Sequence, residues 1–365
     1  MLFRRMLIDY LIIGQGLAGS TLATQLLLAG KRVAVIDRHQ FPTASSVAAG
    51  LINPFTGPKM VKSWKFDELI SFGAEYYRNA EQILESDFFR EEKIFRPFHS
   101  VEQQNEWYGK STLSGYSPYI HRICDAGEHA PFVHSPFGGL ESRAWTLNVP
   151  VYLEATNTYL KKHSDFFEES FDENLLEIGR EYVRYRDIEA KRIVFCTGHE
   201  SVHSRFFNWL PLVPVKGELL DIKMAVNFQT IYNRNCFIIP QGGGVFRAGS
   251  TYDRKDITME PTAEGKNQII AYLRQMTDLP FEIIGHRAGI RPGTMTRRPL
   301  IGQHPEISSM FIFNGLGTKG VSLAPYFARE FVTLLEGGNY LHDEVDIKKY
   351  YSLYFNSQSV KKSNT

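Results

Sequence analysis

The chain has 365 residues, 43% of them hydrophobic, enough for two sizeable domains or one elaborate one with a real core. A net charge of +1 provides no electrostatic footprint for nucleic acid or an anionic membrane surface. Three scattered cysteines, Cys124, Cys196 and Cys236, suit a reducing compartment and show no metal-ligand spacing, and no apolar run approaches the ~20 residues that span a bilayer.

Residues 9–37, DYLIIGQGLAGSTLATQLLLAGKRVAVID, open the pattern. Leu11, Ile12 and Ile13 form a short apolar run that stops at Gly14. Residues 18–29 have helical composition, with Leu22, Gln25, Leu26 and Ala29 at helical intervals. Val33 to Ile36 read as a second buried strand, ending at Asp37. Strand, glycine turn, helix, strand is one βαβ unit of the kind that binds a nucleotide. Gly14 permits the tight turn and Gly16 lets backbone approach a pyrophosphate. Gly19 lets helix and strand pack closely, and Leu17 and Ala18 open the helix whose N-terminus faces the anion. The Asp37 carboxylate is placed to accept hydrogen bonds from ribose hydroxyls, and an acid there argues against a 2′-phosphate. Arg4 and Arg5 before apolar residues imitate a signal peptide. Asp9 breaks that run and the first strand uses the rest, so the expectation is a cytoplasmic protein.

The loop RHQFPTASSVAAGLINPFTGPKM is unusually long for a βα connection and is rich in small residues, which suits backbone threading past a flat ligand. Helices are predicted over 64–84, after Ser100 as N-cap, and over 149–163 with Pro150 in the first turn. KIFRPF and KRIVFCTG read as strands, the second ending in a glycine. PVKGELLDIKM, NCFIIPQ and GVFRAGSTY form a β-rich block. PTAEGKNQIIAYLRQM is a helix, SMFIFNGLG a last buried strand and GVSLAPYFAREFVTLLEGG a last helix. The βαβ character thus appears at both chain ends and in the middle, with β-rich material between, which predicts two interleaved domains.

Four segments go beyond the glycine fingerprint: GQGLAGS with Asp37, SSVAAGLINP, VPVKGELLDI, and AGIRPGTMTRRPLIGQHPEISSMFIFNGLGTKGVSLAP. In this order and spacing the chain resembles the FAD-dependent D-amino-acid oxidase superfamily, in its glycine oxidase and sarcosine oxidase branch. The resemblance covers nearly the whole chain, is strongest at both ends and is thin over 60–140. It implies an α/β protein in which an FAD-binding Rossmann-like domain of the glutathione-reductase type, residues 1–85, 142–214 and 291–365, is interleaved with a β-rich α+β substrate domain, 86–141 and 215–290.

The resemblance also assigns positions. The FAD diphosphate falls at Gly14, Gly16 and Gly19 and its AMP ribose on Asp37, with Arg38 and His39 flanking the adenosine. Ser45, Ser46, Ala49, Gly50 and Leu51 run along the ribityl chain and flavin. Thr197 and Gly198 pack near the adenosine half. Gly315, Gly317, Thr318, Lys319, Gly320 and Val321 sit at the pyrimidine edge, where the last helix points its positive end at charge that reduction creates. Arg291, in Gly-x-Arg-Pro, matches the arginine that pairs with the substrate carboxylate, since a guanidinium presents two parallel donors to two oxygens. Tyr252 matches a pocket residue. Arg247 stands where sarcosine oxidases place a lysine over the flavin to help oxygen react. Phe237 replaces a pocket tyrosine of glycine oxidase, which puts glycine itself in doubt as substrate. Lys216 reads as a strand-end charge in preference to a rim residue. Val47 stands where some relatives attach flavin through histidine, and no cysteine follows the Arg-Pro pair, so FAD is expected to be non-covalent.

The implied reaction is oxidation of a C–N bond of an amino acid or N-substituted glycine by hydride transfer to flavin N5, with the imine hydrolysed by water and the electrons passed to oxygen or another acceptor. The partners are then small molecules. The eleven histidines show no ligand spacing, and no metal is expected. Three other readings are a tRNA wobble-uridine carboxymethylaminomethyl-modifying oxidoreductase, an NAD-dependent dehydrogenase, in which the C-terminal glycine segment has no job, and a flavin-binding protein without turnover, which Arg291 disfavours.

Overall fold

A computed structural model describes residues 6–39, 42–130, 132–338 and 340–363. Arg4 and Arg5 lie outside the described residues. Met6–Ile13 runs parallel to Val33–Asp37 on one side and to Ile188–Phe195 on the other, with Ile13 level with both Ile36 and Phe195. Towards the cleft these strands are buried on both faces, which is why residues 11–13, 33–36 and 193–195 read as apolar runs with no alternation. Asp165–Glu168 extends the sheet beyond Val33–Asp37. Met310–Asn314 adds in parallel to Ile188–Phe195, and Leu300–Gln303 pairs antiparallel with it.

Helix Leu17–Leu28 covers one face of this sheet. Leu22, Ala23 and Leu26 are fully buried there, at about 1.5–3 kcal/mol for each large side chain. Helix Gly320–Leu335 packs beside it and contains Pro325, which has no N–H to give Val321 O. The buried Tyr77 hydroxyl, from helix Phe66–Leu84, donates to that carbonyl at 2.8 Å and repairs the ladder. On the other face, Phe207, Trp209 and Tyr354 close a second core.

The second sheet is antiparallel except at one pairing. Its long edge strand Phe281–Thr294 lies along Leu212–Met224, followed by Val245–Gly249, Phe237–Gly242, Ile231–Asn233, Phe89–Pro97, Gly139–Leu147 and Leu51–Ile52. Ile231–Asn233 and Phe89–Pro97 supply the parallel pair. Helix Ala263–Met276 covers the outer face over Leu220, Ile222 and Phe246. The inner face carries Ile94, Ala144, Ile231 and Ile239.

Ser100 caps helix Val101–Ser111 as expected, accepting from Gln103 N at 3.3 Å. The strand read at KIFRPF is longer, Phe89–Pro97, because its charged first half pairs with Gly139–Leu147. The long loop after Asp37 holds a four-residue helix, Ala44–Val47, closed by a capping box between Thr43 and Ser46. Among the described residues no helix is long and apolar enough to cross a membrane.

Candidate active site

The carboxyl ends of the parallel strands open onto a cleft of about 1150 Å³ that reaches the inner face of the second sheet. This is the crevice in which open α/β sheets bind ligands. It exceeds the roughly 300–1,000 Å³ usual for small-molecule sites.

One end of the cleft is made largely of backbone. Helix Leu17–Leu28 starts from Gly16 and helix Gly320–Leu335 from Lys319. Neither N-cap residue supplies a side-chain hydrogen bond and neither first turn holds an acidic residue, so apart from Leu17 N, which Ser45 Oγ takes, the amides of both positive ends stay available to an anion. Gly16, Leu17 and Ala18 line the cleft on one side and Gly317, Thr318, Lys319, Gly320 and Val321 on the other. Gly14 also lines it and needs its glycine, with φ at +97° and a Cβ that would stand 2.7 Å from Cys196 O. Gly19 does not line the cleft. A Cβ there would lie 1.8 Å from Gly14 O, so its part is the close packing of helix on strand.

Asp37 accepts N–H groups from Gln15 and His39, each at 2.6 Å and on different oxygens, and each oxygen keeps a further lone pair. Arg38 lines the cleft and pairs with Glu200 at 3.3 Å. His39 lies off the lining, its backbone in the left-handed region. Ser45, Ala49, Gly50 and Leu51 line it, and Ser45 Oγ accepts from Leu17 N at 3.2 Å. Ser46 does not; its Oγ accepts from Thr43 N at 2.8 Å within the capping box. Thr197, Gly198 and Gly315 all line the cleft. Lys319 donates to Ser63 Oγ at 3.1 Å, and burial, then Arg298 and Arg297, hold its ammonium below the usual lysine range.

The other end is made of side chains on strands. Val215, Gly217 and Leu219 alternate onto the cleft face of Leu212–Met224, and Arg291 comes from the neighbouring edge strand in register with Val215. Its Nη2 donates to Ser250 Oγ at 2.8 Å and its Nη1 to Thr251 O at 3.2 Å. Burial pulls the guanidinium down to about 10, which leaves it charged at neutral pH. A Cβ on Gly217 would lie 1.9 Å from Arg291 Nη2, so the guanidinium rests flat on that glycine. Tyr252 lines the cleft at 55% exposure, with Arg254 Nη2 on its hydroxyl at 3.3 Å. Phe237 and Met259 complete this wall.

Arg247 is not brought to the lining. It sits opposite Asp221 on the adjacent strand, and Asp221 binds both Arg247 and Arg287, at 3.2 and 2.5 Å. Lys216 is neither a rim residue nor a strand-end charge. It is 1% exposed on the opposite face of its strand, ion-paired with Asp256 and 3.2 Å from Thr258 Oγ1, and so ties down the segment that carries Met259. Gly217, Ser250 and Met259 were not singled out from the sequence. Gly217 alone left a signal, a glycine interrupting an apolar strand, which marks close approach of another group.

A family model described as FAD dependent oxidoreductase matches residues 9–334. The chain belongs to this family. It is 23% identical over 353 residues to glycine oxidase of Pseudomonas aeruginosa, covering 89% of this chain and 94% of that one. Two solved structures share the fold. The glycine oxidase of Geobacillus kaustophilus has a TM-score of 0.78 at 20% identity, covering 94% of this chain and 98% of that one. The iminodiacetate oxidase of Chelativorans sp. BNC1 has a TM-score of 0.74 at 19% identity, with the same coverage. FAD is therefore the cofactor of this oxidoreductase, and the cleft fits it. Two uncapped helix ends and a glycine turn suit a diphosphate, Asp37 suits a ribose, and the shelf from Ser45 to Leu51 is lined by small and apolar residues.

Proposed function

We propose that this FAD-dependent oxidoreductase oxidises the C–N bond of an amino acid or N-substituted glycine, and that Arg291 holds the substrate carboxylate. The observation that carries the reading is a largely buried guanidinium at the cleft whose hydrogen-bond partners, among the described residues, are Ser250 Oγ and Thr251 O. Among the described residues no carboxylate pairs with it. Burying such a charge is costly unless an anion completes it, and a bidentate carboxylate does so with fixed orientation. FAD, when bound non-covalently by the residues above, supplies the two-electron acceptor.

The protein's own part is binding and exclusion of water. Among the lining residues around Arg291 none is Asp, Glu or His, so the amine enters neutral and no side chain is needed to take its proton. Phe237, backed by the buried Ile94, Ala144, Ile231 and Ile239, gives an apolar wall. That wall favours a substrate larger than glycine, in keeping with the phenylalanine at 237. The names of the relatives, glycine oxidase and iminodiacetate oxidase, both describe an amine beside a carboxylate. Arg247 is taken up by Asp221 and stands off the cleft lining, so it supplies no cation there to favour oxygen over another electron acceptor.

The test is single-turnover flavin reduction with N-methylglycine and with an amine lacking the carboxylate. Arg291→Ala should slow the first by about thirty- to several-thousand-fold, the effect of losing roughly 2–5 kcal/mol of buried charge pairing, and leave the second unchanged. Arg291→Lys should recover part of the loss, and FAD content should stay normal in both. Equal slowing of both amines, or of neither, overturns the reading. Flavin reduction seen only with tRNA carrying a carboxymethylaminomethyl uridine would replace it.

A further inference from the structure

On the outer face of the second sheet, away from the cleft, strand Ile120–Cys124 pairs antiparallel with Gly139–Leu147, bringing Cys124 opposite Gly139 and Arg122 opposite Glu141. The chain between them folds His129 back over the sheet, where its ring stacks on Phe95 at 3.7 Å between centroids. His129 Nε2 then lies 3.8 Å from Cys124 Sγ, and the ligand atoms of Cys124, His129 and Glu141 all fall within 4.8 Å of one another. Cys124 is fully buried and Glu141 is 6% exposed. The other ring nitrogen, Nδ1, is 3.2 Å from Tyr232 Oη.

We propose that Cys124, His129 and Glu141 form a binding site for a zinc-class divalent ion. Bond lengths of about 2.0–2.3 Å to sulfur, nitrogen and oxygen put tetrahedral ligand atoms roughly 3.3–3.6 Å apart, close to the sulfur–imidazole spacing already present. A turn of the Glu141 carboxylate closes the remainder. Lys93 and Arg122 approach that carboxylate at 3.5 and 3.9 Å, but both are half-exposed or more, and Arg122 has Glu128 as a second partner. With Nδ1–H donating to Tyr232, the Nε2 lone pair points inward, the outer hydrogen bond that metal-bound imidazoles use. A thiolate, an imidazole and a carboxylate select zinc over magnesium or calcium, which take oxygen ligands. Binding releases the Cys124 thiol proton to solvent, and the two anionic ligands then balance the ion. Three protein ligands leave the fourth position to water. The expectation of no metal rested on spacing along the chain, and Glu141 comes from a separate strand that spacing cannot reveal. The ion would clip the 125–138 segment to the sheet, apart from the flavin.

The experiment uses FAD-loaded enzyme freed of metal by EDTA and dialysis. One equivalent of Co²⁺ should give d–d bands to the red of the flavin absorption with a thiolate charge-transfer feature, and Zn²⁺ should displace them. Zn²⁺ but not Mg²⁺ should raise Tm. Cys124→Ser and His129→Ala should each abolish stoichiometric binding at unchanged flavin content. Glu141→Gln, which keeps both softer ligands, should weaken binding and keep the thiolate feature. No cobalt bands and no retained equivalent in the unmutated enzyme, or full binding by Cys124→Ser, overturns the site.

Discussion

The two ends of the cleft are built from different materials. At the nucleotide end the chain presents itself: amides at two helix starts, glycines where a Cβ would strike backbone, and one carboxylate fixed by two N–H groups. At the substrate end it presents what hangs from it: a guanidinium, a tyrosine, a phenylalanine and a methionine, on strands and a segment distant in sequence. A surface made of backbone is hard to alter except by adding atoms. One made of side chains is altered by removing them. The nucleotide end can therefore stay constant within a fold while the substrate end changes with the reaction.

That contrast can be broken or sharpened by substitution. The largest effect belongs to Gly16→Val, an addition at the nucleotide end. A Cβ there already lies 3.1 Å from Ser45 Oγ, and the branches would fill space lining the cleft, so FAD should be lost altogether. The flavin-to-protein absorbance ratio after gel filtration of the folded variant measures it, and a full complement of flavin removes the site. Next comes Gly217→Ala, an addition at the other end. It should displace the Arg291 guanidinium and cut single-turnover reduction by a carboxylated amine about 10²-fold, the cost of a misplacement near 1 Å, with flavin content retained. An unaltered rate would mean that the arginine's seat does not matter. Asp37→Ala deletes the carboxylate proposed to hold the ribose. It should raise the FAD dissociation constant roughly tenfold, about one charge-assisted hydrogen bond, without creating a preference for 2′-phosphorylated dinucleotides. Smallest is Ser45→Ala, expected to change FAD affinity by about 1 kcal/mol or less, because the Leu17 amide it releases faces the cleft. A loss as large as that of Asp37→Ala would show that this end relies on side chains after all.

The same contrast explains what could be read from the chain beforehand. Gly14, Gly16, Gly19 and Asp37 sit within one βαβ unit, where local spacing maps directly onto space. Arg247 shows the opposite case. It is two residues from Gly249, and a strand rises about 3.3 Å per residue, so it faces the same way as the cleft wall but roughly 7 Å further along. There it meets Asp221 and Arg287, which only the pairing of three strands brings together. Lys216 differs from the strand-end charge expected for a related reason. Strand alternation turns its buried side chain to the outer face, where it pairs with a half-buried carboxylate 40 positions on. Helix Val149–His163 is capped by Asn148, whose side chain accepts from Val151 N, one residue before the helix and two before the Pro150 that marks its first turn in the sequence.

The strand order of the flavin sheet has a consequence for how the protein is made. Ile188–Phe195 is central, with Met6–Ile13 parallel on one side, yet its other parallel neighbour at the cleft end is Met310–Asn314. On the ribosome, Gly14 and Asp37 emerge before that neighbour, which begins only at Met310. The helix that supplies the second positive end, Gly320–Leu335, emerges later still. A cleft with both helix ends in place therefore waits on Met310–Asn314 and the helix after it, and a nascent chain halted before residue 310 carries the complete glycine fingerprint on a sheet that lacks its neighbouring strand.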